Sequence, residues 1–464
     1  MHEHGHGMAG FMAGAGVVPG DRVLLALADR VELVWALLGA LRAGAVAVLV
    51  NPLLTEADHD FMVRDAAPAL VVCEEGLTYR FESKAPTVAV DQLSHGGTSS
   101  FPAVDVAGDA AAYAQYTSGT TGPPKAVLHR HGDPAGYHAA MGEGVLHLRP
   151  DDVVCSISKA YFAYGLGNSV FFPLFSGCSA ILEPGKPTVD QVGAVVAGHG
   201  ATVLFAVPSF YARLVADGDA GCFGTIRVAV SAGEALPPAL YHRAQSWLGR
   251  EVLDGLGSTE VGQTFISNLP GRSRPGTIGN VLAGYEAAVC DDTGTRLPAG
   301  QVGLLWVRGP TVMLGYLNRP EDTAAVLVDG WCRTGDRASV DEDGYYRHHG
   351  RTDDLEVVGG INVSPLEIEA VLLEHPAVVE VAVTSVPDET GASRLRCFAV
   401  LDAGTPWSPA LQGEILALSR SRLAAFKVPR SVTAVESLPR TMTGKLRRHV
   451  LRAGWPAPPH GPQV

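Results

Sequence analysis

The chain has 464 residues, which is enough for two or three domains with sizeable cores. Acidic residues outnumber basic ones, 48 to 35, and the formal charge of -13 argues against a nucleic-acid surface. The 7 cysteines lie far apart without a CxxC pair, which excludes a disulfide framework and a cysteine zinc site and favours a reducing, cytoplasmic compartment.

We expect the N-terminal region to contain neither a signal peptide nor a membrane span. No apolar run approaches the roughly 20 residues that a span needs, so we expect a soluble protein without a membrane partner. The stretch MHEHGHGMAGFMAGAGVV lacks a basic start and leads directly into a strand-like run, which indicates the end of a helix. We expect no functional metal at His2, His4 and His6, because a loose terminus preorganises no site.

Strand-like and helix-like runs alternate from Asp21 onward. The apolar runs RVLLALA, AVAVLVNP and ALVVCEE are separated by the amphipathic runs ELVWALLGALRAG and EADHDFMVRDA. The pattern returns in ATVLFAVP, RVAVSAGEALP and REVLDGLGSTE. Such alternation predicts βαβ units and an α/β fold with parallel sheets. Polar or glycine-rich segments follow these strands at their carboxyl ends, where open α/β sheets bind ligands.

The C-terminal part of the chain has a different pattern of predicted elements. From about residue 276 to 350, short strands separated by the turn signals DDTG and DEDG predict a β-rich subdomain. After Arg351, the runs SPLEIEAVLLEH, VVEVAVTSVPD and RLRCFAVLD predict a helix and two strands of a small α+β unit. We place the boundary in the charged turn GRTDD, so that residues 1–353 form a large lobe and residues 354–464 a small, mobile domain.

The stretch YTSGTTGPPK, which ends at Lys125, has the composition of an anion-binding loop. Its hydroxyls donate hydrogen bonds, its glycines let backbone N–H groups turn inward, and the lysine adds a positive charge. Pro123 and Pro124 prevent the helix that a Walker A loop opens. The alternative is a polar surface turn, but such a turn needs no lysine behind two prolines. We predict a phosphate-binding loop. Its residues are Thr117, Ser118, Gly119, Thr120, Thr121, Gly122 and Lys125.

Further motifs follow this loop along the chain. They are SAGEALP (231–237), DGLGSTE (254–260), GWCRTGD (330–336), GRTDD (350–354) and PRTMTGK (439–445). Together with the loop, they resemble the signatures of the adenylate-forming superfamily, which includes acyl-CoA synthetases, peptide-synthetase adenylation domains and luciferases. The resemblance extends from about Val18 to Arg452. It implies that a carboxylate reacts with ATP, that pyrophosphate leaves, and that the acyl-adenylate is attacked by a second nucleophile.

The resemblance also implies roles for residues at the nucleotide. Glu260 is expected to hold Mg2+, Thr259 to contact the α-phosphate, and the loop to grip the leaving phosphates, because two anions must approach each other. Asp336 matches the carboxylate that accepts both ribose hydroxyls, and Arg351 matches its cationic partner. Two segments are expected to line the nucleotide. They comprise Gly233, Glu234 and Ala235, and Asp254, Gly255, Leu256, Gly257 and Ser258.

Two residues of the C-terminal motifs are expected to act through movement of the small domain. Lys445 matches the lysine that bridges the carboxylate and the α-phosphate, where a compact ammonium follows shifting negative charge. Its alternative is one more basic residue beside Arg447 and Arg448. Asp353 matches the hinge that turns the small domain between the two half-reactions.

The stretch SKAYFAYGLGNSVFFPL, residues 158–174, resembles the acyl-pocket segment of benzoate-CoA ligases and related aryl-CoA ligases. The resemblance implies a flat, narrow slot for an aromatic ring, with Gln263 reaching a polar ring substituent. The alternative is a core cluster in which Phe162, Phe171 and Phe172 only pack against the sheet. The expected pocket residues are Ala163, Tyr164, Gly165, Gly257 and Gln263.

The sequence departs from the family pattern in two places. Relatives begin with another strand and helix before Val18, so the chain looks short at its N-terminus and its acyl side is expected to be looser. Glu356 and Val357 stand where the resemblance predicts an apolar residue and then a lysine on the face used in the second half-reaction. The lysine missing at position 357 is evidence against thioester formation, but it does not affect adenylation.

Three functions follow from these patterns. The first is an AMP-forming aryl-CoA ligase that uses ATP, Mg2+ and CoA on a benzoate-like acid. The second keeps adenylation but changes the acceptor or the activated anion, as in amide formation, carrier-protein loading or nitrite-dependent diazotisation of an aromatic amine. The third is a nucleotide-binding regulator without catalysis, against which Lys125, Glu260, Asp336 and Lys445 argue. The resemblance leaves a homodimer open.

Overall fold

The computed structural model describes residues 2–93, 101–117, 123–358, 361–387, 393–440 and 446–453. Within these residues the strands are, in chain order, β1 (Arg22–Ala26), β2 (Val46–Leu49), β3 (Leu70–Cys73), β4 (Thr87–Ala89), β5 (Ala111–Thr117), β6 (Lys125–Arg130), β7 (Val153–Ser156), β8 (Ser179–Ile181), β9 (Val203–Ala206), β10 (Val228–Ser231), β11 (Val252–Gly257), β12 (Thr264–Ser267), β13 (Asn280–Val281), β14 (Glu286–Cys290), β15 (Gly303–Arg308), β16 (Gly315–Tyr316), β17 (Leu327–Val328), β18 (Trp331–Val340), β19 (Tyr346–Arg351), β20 (Glu356–Val358), β21 (Ile361–Val363), β22 (Val378–Pro387), β23 (Ser393–Leu401) and β24 (Ser431–Ala434).

The helices in the same residues cover the sheets. They are α1 (His2–Gly14), α2 (Val31–Arg42), α3 (Glu56–Ala66), α4 (Thr78–Phe81), α5 (Asp133–Tyr137), α6 (Ala163–Leu166), α7 (Phe172–Ser176), α8 (Val189–His199), α9 (Pro208–Asp217), α10 (Pro238–Leu248), α11 (Pro320–Val326), α12 (Pro365–Leu372), α13 (Pro409–Arg422) and α14 (Arg448–Arg452). Two π-helical segments, His138–Glu143 and Gly167–Phe171, extend α5 and join α6 to α7. No helix in the described ranges is long and apolar enough to cross a membrane.

Two 7-stranded sheets, each with a parallel core, form the large lobe. The first has the order β16-β6-β5-β2-β1-β3-β4, and its strands β1 to β5 are parallel. The second has the order β13-β12-β11-β10-β9-β7-β8, and its strands β7 to β11 are parallel. Antiparallel strands extend one edge of each sheet. The α/β fold with parallel sheets that the alternating pattern predicted is confirmed.

Local sequence explains why the parallel strands and helices form where they do. In β1 the consecutive residues Val23, Leu24 and Leu25 are fully buried, as expected for a strand covered on both faces. Helix α3 begins after Thr55, which forms a reciprocal capping box with Asp58. Helix α8 has similar boundaries: it begins after Thr188, which forms a capping box with Gln191, and it ends at Gly200, whose backbone is left-handed.

The N-terminal stretch forms a complete helix, α1, where the sequence indicated only the end of one. Met8 and Met12 of α1 are buried in the main apolar cluster with Leu37 of α2. The ring of His4 stacks on Trp35, with centroids 3.9 Å apart. Burial of apolar side chains along α2 therefore stabilises α1.

A third, antiparallel sheet follows, with the order β14-β15-β18-β17 and β19 on β18. Both predicted turn signals form Asx turns. Asp291 Oδ1 accepts from the backbone N–H of Thr293, at 2.9 Å. Asp341 Oδ1 accepts from the backbone N–H groups of Asp343 and Tyr345, at 3.0 and 2.8 Å. Aspartate at the first turn position thus joins these strand pairs.

The small C-terminal unit combines the hairpin β20-β21, the sheet β22-β23-β24 and the helices α12 to α14. The predicted helix in SPLEIEAVLLEH and the two predicted strands are present as α12, β22 and β23. Arg448 of α14 forms a bidentate pair with Glu369 of α12, with Nη2 and Oε2 3.0 Å apart, and both side chains are buried. This pair anchors the helix that follows residues 441–445.

Candidate active site

A short turn after β11 joins the two large sheets. The turn, Thr259–Val261, is held at each of its three carbonyl groups. The first carbonyl accepts from His129 Nε2 at 2.7 Å, the second from the N–H of Met313 at 2.8 Å, and the third from Thr311 Oγ1 at 2.7 Å. Since His129 lies on β6 of the first sheet, this network fixes the turn that carries Thr259 and Glu260.

Glu260 and Lys125, both predicted from sequence, contact the same tyrosine side chain. Glu260 Oε1 accepts from the hydroxyl of Tyr316 at 2.9 Å. Lys125 Nζ lies 5.1 Å from the centroid of the same ring and donates to Asp322 Oδ1 at 2.8 Å. Burial, followed by the charge of Glu260, raises the pKa of Tyr316 and keeps it a neutral donor. The structure thus adds Tyr316 and Asp322, which the motifs did not indicate.

Asp336 and Arg351 are direct cross-strand partners on β18 and β19. Asp336 Oδ1 accepts from His348 Nε2 at 3.1 Å, and Arg351 Nη1 lies 3.7 Å from the same oxygen. Burial opposes ionisation of Asp336, but the hydrogen bond and charge of His348 and the charge of Arg351 outweigh it and lower the pKa of Asp336. A buried, ionised carboxylate can accept two hydroxyl hydrogen bonds, as the ribose role requires.

Of the two predicted nucleotide walls, residues 233–235 follow β10, whereas residues 254–257 form the end of β11 and Ser258 follows it. Gly233 adopts a φ of +93°, which a side chain would disfavour. Burial raises the pKa of Asp254 well above its usual value, although Leu236 N–H donates to its Oδ2 at 3.3 Å. Within the described residues, Asp254 Oδ1, Ser231 Oγ and Ser258 Oγ are buried without a hydrogen-bond partner. Such atoms fit a polar ligand such as a purine.

The glycines of DGLGSTE also have a packing role. A Cβ on Gly255 would lie 2.9 Å from the carbonyl oxygen of Ile266, and one on Gly257 would lie 2.8 Å from that of Gln263. Both contacts come from the antiparallel approach of β12 to β11. These glycines therefore allow β12 to pair closely, whatever they contact in a ligand.

The predicted acyl pocket brings Tyr164 and Gln263 together. Gln263 Nε2 donates to the carbonyl of Tyr164 and to Asn168 Oδ1, both at 3.2 Å, and its Oε1 accepts from Thr264 N–H and Oγ1 at 2.8 and 2.9 Å. Its amide is therefore fully engaged by the protein, and contact with a ring substituent stays a prediction. The ring of Tyr164 meets Phe205 edge-on, with centroids 6.0 Å apart.

The neighbouring pocket residues are close-packed. A Cβ on Gly165 would approach the carbonyl oxygen of Lys159 to 2.1 Å, so this position requires glycine. Ala163 is buried. Phe171 and Phe172 belong to the main apolar cluster, which supports their alternative assignment as core residues.

Several predicted residues lie outside what the structure describes. They are Ser118, Gly119, Thr120, Thr121, Gly122, Lys445, and the side chains of Asp353 and Val357. Residues 118–122 of the predicted phosphate loop are flanked by Thr117, at the end of β5, and by the segment that leads to Lys125, at the start of β6. Thr117 and Lys125 are register partners. The two ends of the predicted phosphate loop are therefore adjacent.

Glu356, the departure from the family pattern, is buried in the small unit. Its Oε1 accepts from Arg452 Nη2 at 2.7 Å and from Thr384 Oγ1 at 2.8 Å, and its Oε2 accepts from Ser385 Oγ. Burial raises the pKa of Glu356, but these hydrogen bonds, led by that of Arg452, lower it below its usual value. Here the carboxylate binds α14 to the sheet, which explains why an acidic residue replaces an apolar one.

No group of three or more histidine, cysteine or acidic residues in the described ranges could hold a metal ion by itself. Glu260 therefore offers one carboxylate, near the tyrosine that Lys125 also contacts. This donor set suits Mg2+ that takes most of its oxygens from phosphates and water, and Glu260 would hold it.

A His129→Gln variant is expected to lose about 2 kcal/mol of unfolding free energy, because it removes a buried hydrogen-bond partner of Asp133. His129 Nδ1 lies 2.8 Å from Asp133 Oδ2, and both side chains are buried. Urea unfolding measures the loss. Adding Asp133→Asn should recover part of it, and the exposed His242→Gln should change little. Equal stability of His129→Gln and the wild type would contradict the assignment.

Comparison with known proteins identifies the family. The sequence model of the protein family described as AMP-binding enzyme matches residues 1–317. The model of the family described as AMP-binding enzyme C-terminal domain matches residues 367–445. The p-hydroxybenzoic acid–AMP ligase of Mycobacterium tuberculosis (strain ATCC 25618 / H37Rv) is 43% identical over 446 residues, covering 96% of this chain and 63% of the relative. The benzoate–CoA ligase of Thauera aromatica is 36% identical over 456 residues, covering 94% of this chain and 86% of the relative.

Solved structures agree with these matches. A benzoate CoA ligase from Burkholderia xenovorans LB400 superposes with a TM-score of 0.91 at 35% identity, covering 97% of this chain and 93% of that one. An anthranilate CoA ligase in complex with anthranoyl-AMP superposes with a TM-score of 0.91 at 33% identity, covering 97% of this chain and 90% of that one. The chain spans less than two thirds of the length of the p-hydroxybenzoic acid–AMP ligases. It belongs to the AMP-binding enzyme family, the adenylate-forming superfamily whose motifs it carries.

Proposed function

We propose that this protein activates an aromatic carboxylic acid with ATP, releasing pyrophosphate and forming an acyl-adenylate, and then transfers the acyl group to CoA. One observation carries the proposal: Glu260, on the turn between β11 and β12 of the second sheet, and Lys125, on β6 of the first sheet, both contact the Tyr316 side chain. A metal-binding carboxylate and an ammonium at one edge suit a triphosphate, whose charge must be neutralised before a carboxylate can approach. Mg2+, when bound, supplies much of that neutralisation.

The geometry around this cluster supports the remaining proposed nucleotide contacts. Asp336, kept ionised by His348 and Arg351, would accept the ribose hydroxyls. The adenine would lie between residues 233–235 and 254–256, next to buried polar atoms that have no described protein partner. Thr259, on the turn fixed by the first sheet, would contact the α-phosphate.

The phosphate loop and the small domain would complete the site. Residues 117–122 with Lys125 would bind the leaving phosphates, and Lys445 would bridge the carboxylate and the α-phosphate. We propose residues 1–353 and 354–464 as the two domains, with the hinge at Asp353 in the turn Thr352–Asp354 between β19 and β20. Rotation there would let the small domain present a second face for transfer.

The substrate proposed is a flat benzoate-like acid beside Tyr164. Burial raises the pKa of Tyr164 well above its usual value, so its phenol stays neutral and the surface it offers a ring is uncharged. The names of several relatives, which are benzoate, hydroxybenzoate and anthranilate ligases, support this class of acid.

A second candidate keeps adenylation but uses an acceptor other than CoA. Val357 stands where the family resemblance places a lysine used in the second half-reaction. Relatives at 43% identity are named p-hydroxybenzoic acid–AMP ligases, whereas two CoA ligases of Thauera aromatica, for benzoate and for hydroxybenzoates, are 36% and 34% identical. A carrier protein, an amine, or nitrite with an aromatic amine would then take part.

Product analysis distinguishes these functions. The protein is incubated with ATP, Mg2+ and a panel of aryl acids, with and without CoA, and separately with nitrite plus an aryl amine. Release of pyrophosphate with an aryl-CoA thioester, identified by mass spectrometry, is the expected result. An aryl-adenylate without thioester would favour the second candidate. No pyrophosphate with any acid or nitrite would overturn both and favour a nucleotide-binding regulator.

A further inference from the structure

One carboxylate of the large lobe contacts both flanks of residues 441–445. Glu234, in the loop after β10, accepts from Arg440 Nη1 at 3.2 Å through Oε1 and at 3.4 Å through Oε2. The same Oε1 accepts from the backbone N–H of Leu446 at 3.2 Å. Arg440 precedes this segment and Leu446 follows it, so one acidic side chain binds the small lobe at two points.

The guanidinium of Arg440 is oriented from within the small lobe. Its Nη2 donates to Glu380 Oε2 on β22 at 2.8 Å. The side chains of Arg440, Glu234 and Glu380 are 23%, 26% and 15% exposed, so solvent screens these charges less than it screens a surface pair. Glu380 therefore preorganises Arg440 to meet a carboxylate of the large lobe.

Apolar packing beside the ion pair also joins the small lobe to the large lobe, but it does not fix the orientation of the small lobe. Val379, next to Glu380 on β22, is buried in the apolar cluster of the second sheet, which includes Phe210 of α9. Hydrophobic contact is not directional, whereas a charge-assisted hydrogen bond depends on angle and distance. The orientation of the small lobe on this surface is thus set by polar contacts such as Arg440 to Glu234.

We propose that Glu234 and Arg440 form a docking ion pair that holds the small lobe against the nucleotide wall in the orientation used for adenylate formation. The inference rests on the proposed function for the step it serves, and it adds the residues that select the orientation. Both act here as positioning residues. Glu234 lies between Gly233 and Ala235, so the pair links the proposed adenine wall to the lobe that carries Lys445.

The pair is tested first without catalysis, by hydrogen–deuterium exchange of the peptide that contains Leu446. E234A removes both the charge and the acceptor of the Leu446 N–H, and E234Q keeps an amide oxygen as acceptor. We expect faster exchange in E234A by roughly tenfold and a smaller change in E234Q. The matched control is E286Q, which breaks an exposed ion pair with Arg308 inside the large lobe and should leave this peptide unchanged.

A double-mutant cycle then tests the role in the reaction. E234Q and R440Q should each lower kcat for acid-dependent exchange of pyrophosphate into ATP by roughly tenfold, and the double variant should lose no more than the worse single variant. The KM for ATP should change little in R440Q, because Arg440 lies outside the nucleotide wall. R440K should retain most of the rate. Additive losses, or unchanged exchange at Leu446 in E234A, would overturn the proposal. The exchange measurement needs no substrate, so it decides whether Glu234 holds the segment at Leu446 even if the proposed activity fails.

Discussion

Replacing Lys445 with alanine should reduce acyl-adenylate formation by a factor of about 10² to 10³ or more, while the affinity for ATP changes little. The family resemblance places this ammonium between the carboxylate and the α-phosphate, where charge develops in the transition state. Ground-state nucleotide binding would depend on the large lobe, through Asp336 and the phosphate loop. Acid-dependent pyrophosphate release measures the rate, and calorimetric titration measures ATP binding.

A matched control for Lys445→Ala is Lys427→Ala in the same lobe. Lys427 Nζ binds the carboxylate of Glu367 at 2.6 Å, within the small unit. Its removal should leave the rate near that of the wild type. Unaltered turnover in Lys445→Ala, or an equal loss in both variants, would refute the role given to Lys445.

Glu260→Gln should lower the rate of adenylate formation by on the order of 10²-fold, and the variant should need more Mg2+ to reach its maximum. Glutamine keeps an oxygen that can accept from Tyr316, so the turn stays in place while the metal-binding charge is lost. Rates are measured across a Mg2+ series. Glu321→Gln, at an exposed position of α11, removes the same charge elsewhere and should follow the wild type. A Mg2+ dependence equal to that of the wild type would contradict the assignment.

The sequence was sufficient for the parallel sheets and for the approximate positions of the polar segments. Apolar runs bounded by turns predicted β1, β2 and β3, and SAGEALP begins at the last residue of β10, as expected. DGLGSTE differs from the expectation, because residues 254–257 form the end of β11 itself and only residues 258–260 follow the strand. Asp336 and Arg351 were predicted from separate motifs, and the hairpin β18-β19 explains their proximity, since they are cross-strand partners.

The rest of the site depends on contacts that no local pattern encodes. Tyr316 reaches Glu260 across 56 positions, and Asp322 reaches Lys125 across 197. Neither has a periodicity or turn signal of its own. His348, on β19, was missed for another reason: an alternating strand pattern does not distinguish a histidine that faces a buried carboxylate from one that faces solvent.

Glu356 shows that a departure from a motif can have a structural reason. The sequence linked the second half-reaction to the lysine missing at position 357 and gave Glu356 no role of its own. The structure places its carboxylate against Arg452 and Thr384 inside the small unit, where it holds α14. Any change of acceptor would therefore arise from the lysine missing at position 357, because Glu356 is engaged in the core of its own lobe.

The most direct test of the account is a crystal structure of the protein with a non-hydrolysable aryl-adenylate analogue. We predict that the ribose hydroxyls contact Asp336, that the adenine lies between residues 233–235 and 254–256, and that the aryl group lies beside Tyr164. An analogue bound elsewhere, with no contact to Asp336 and none to either wall, would contradict the proposed site.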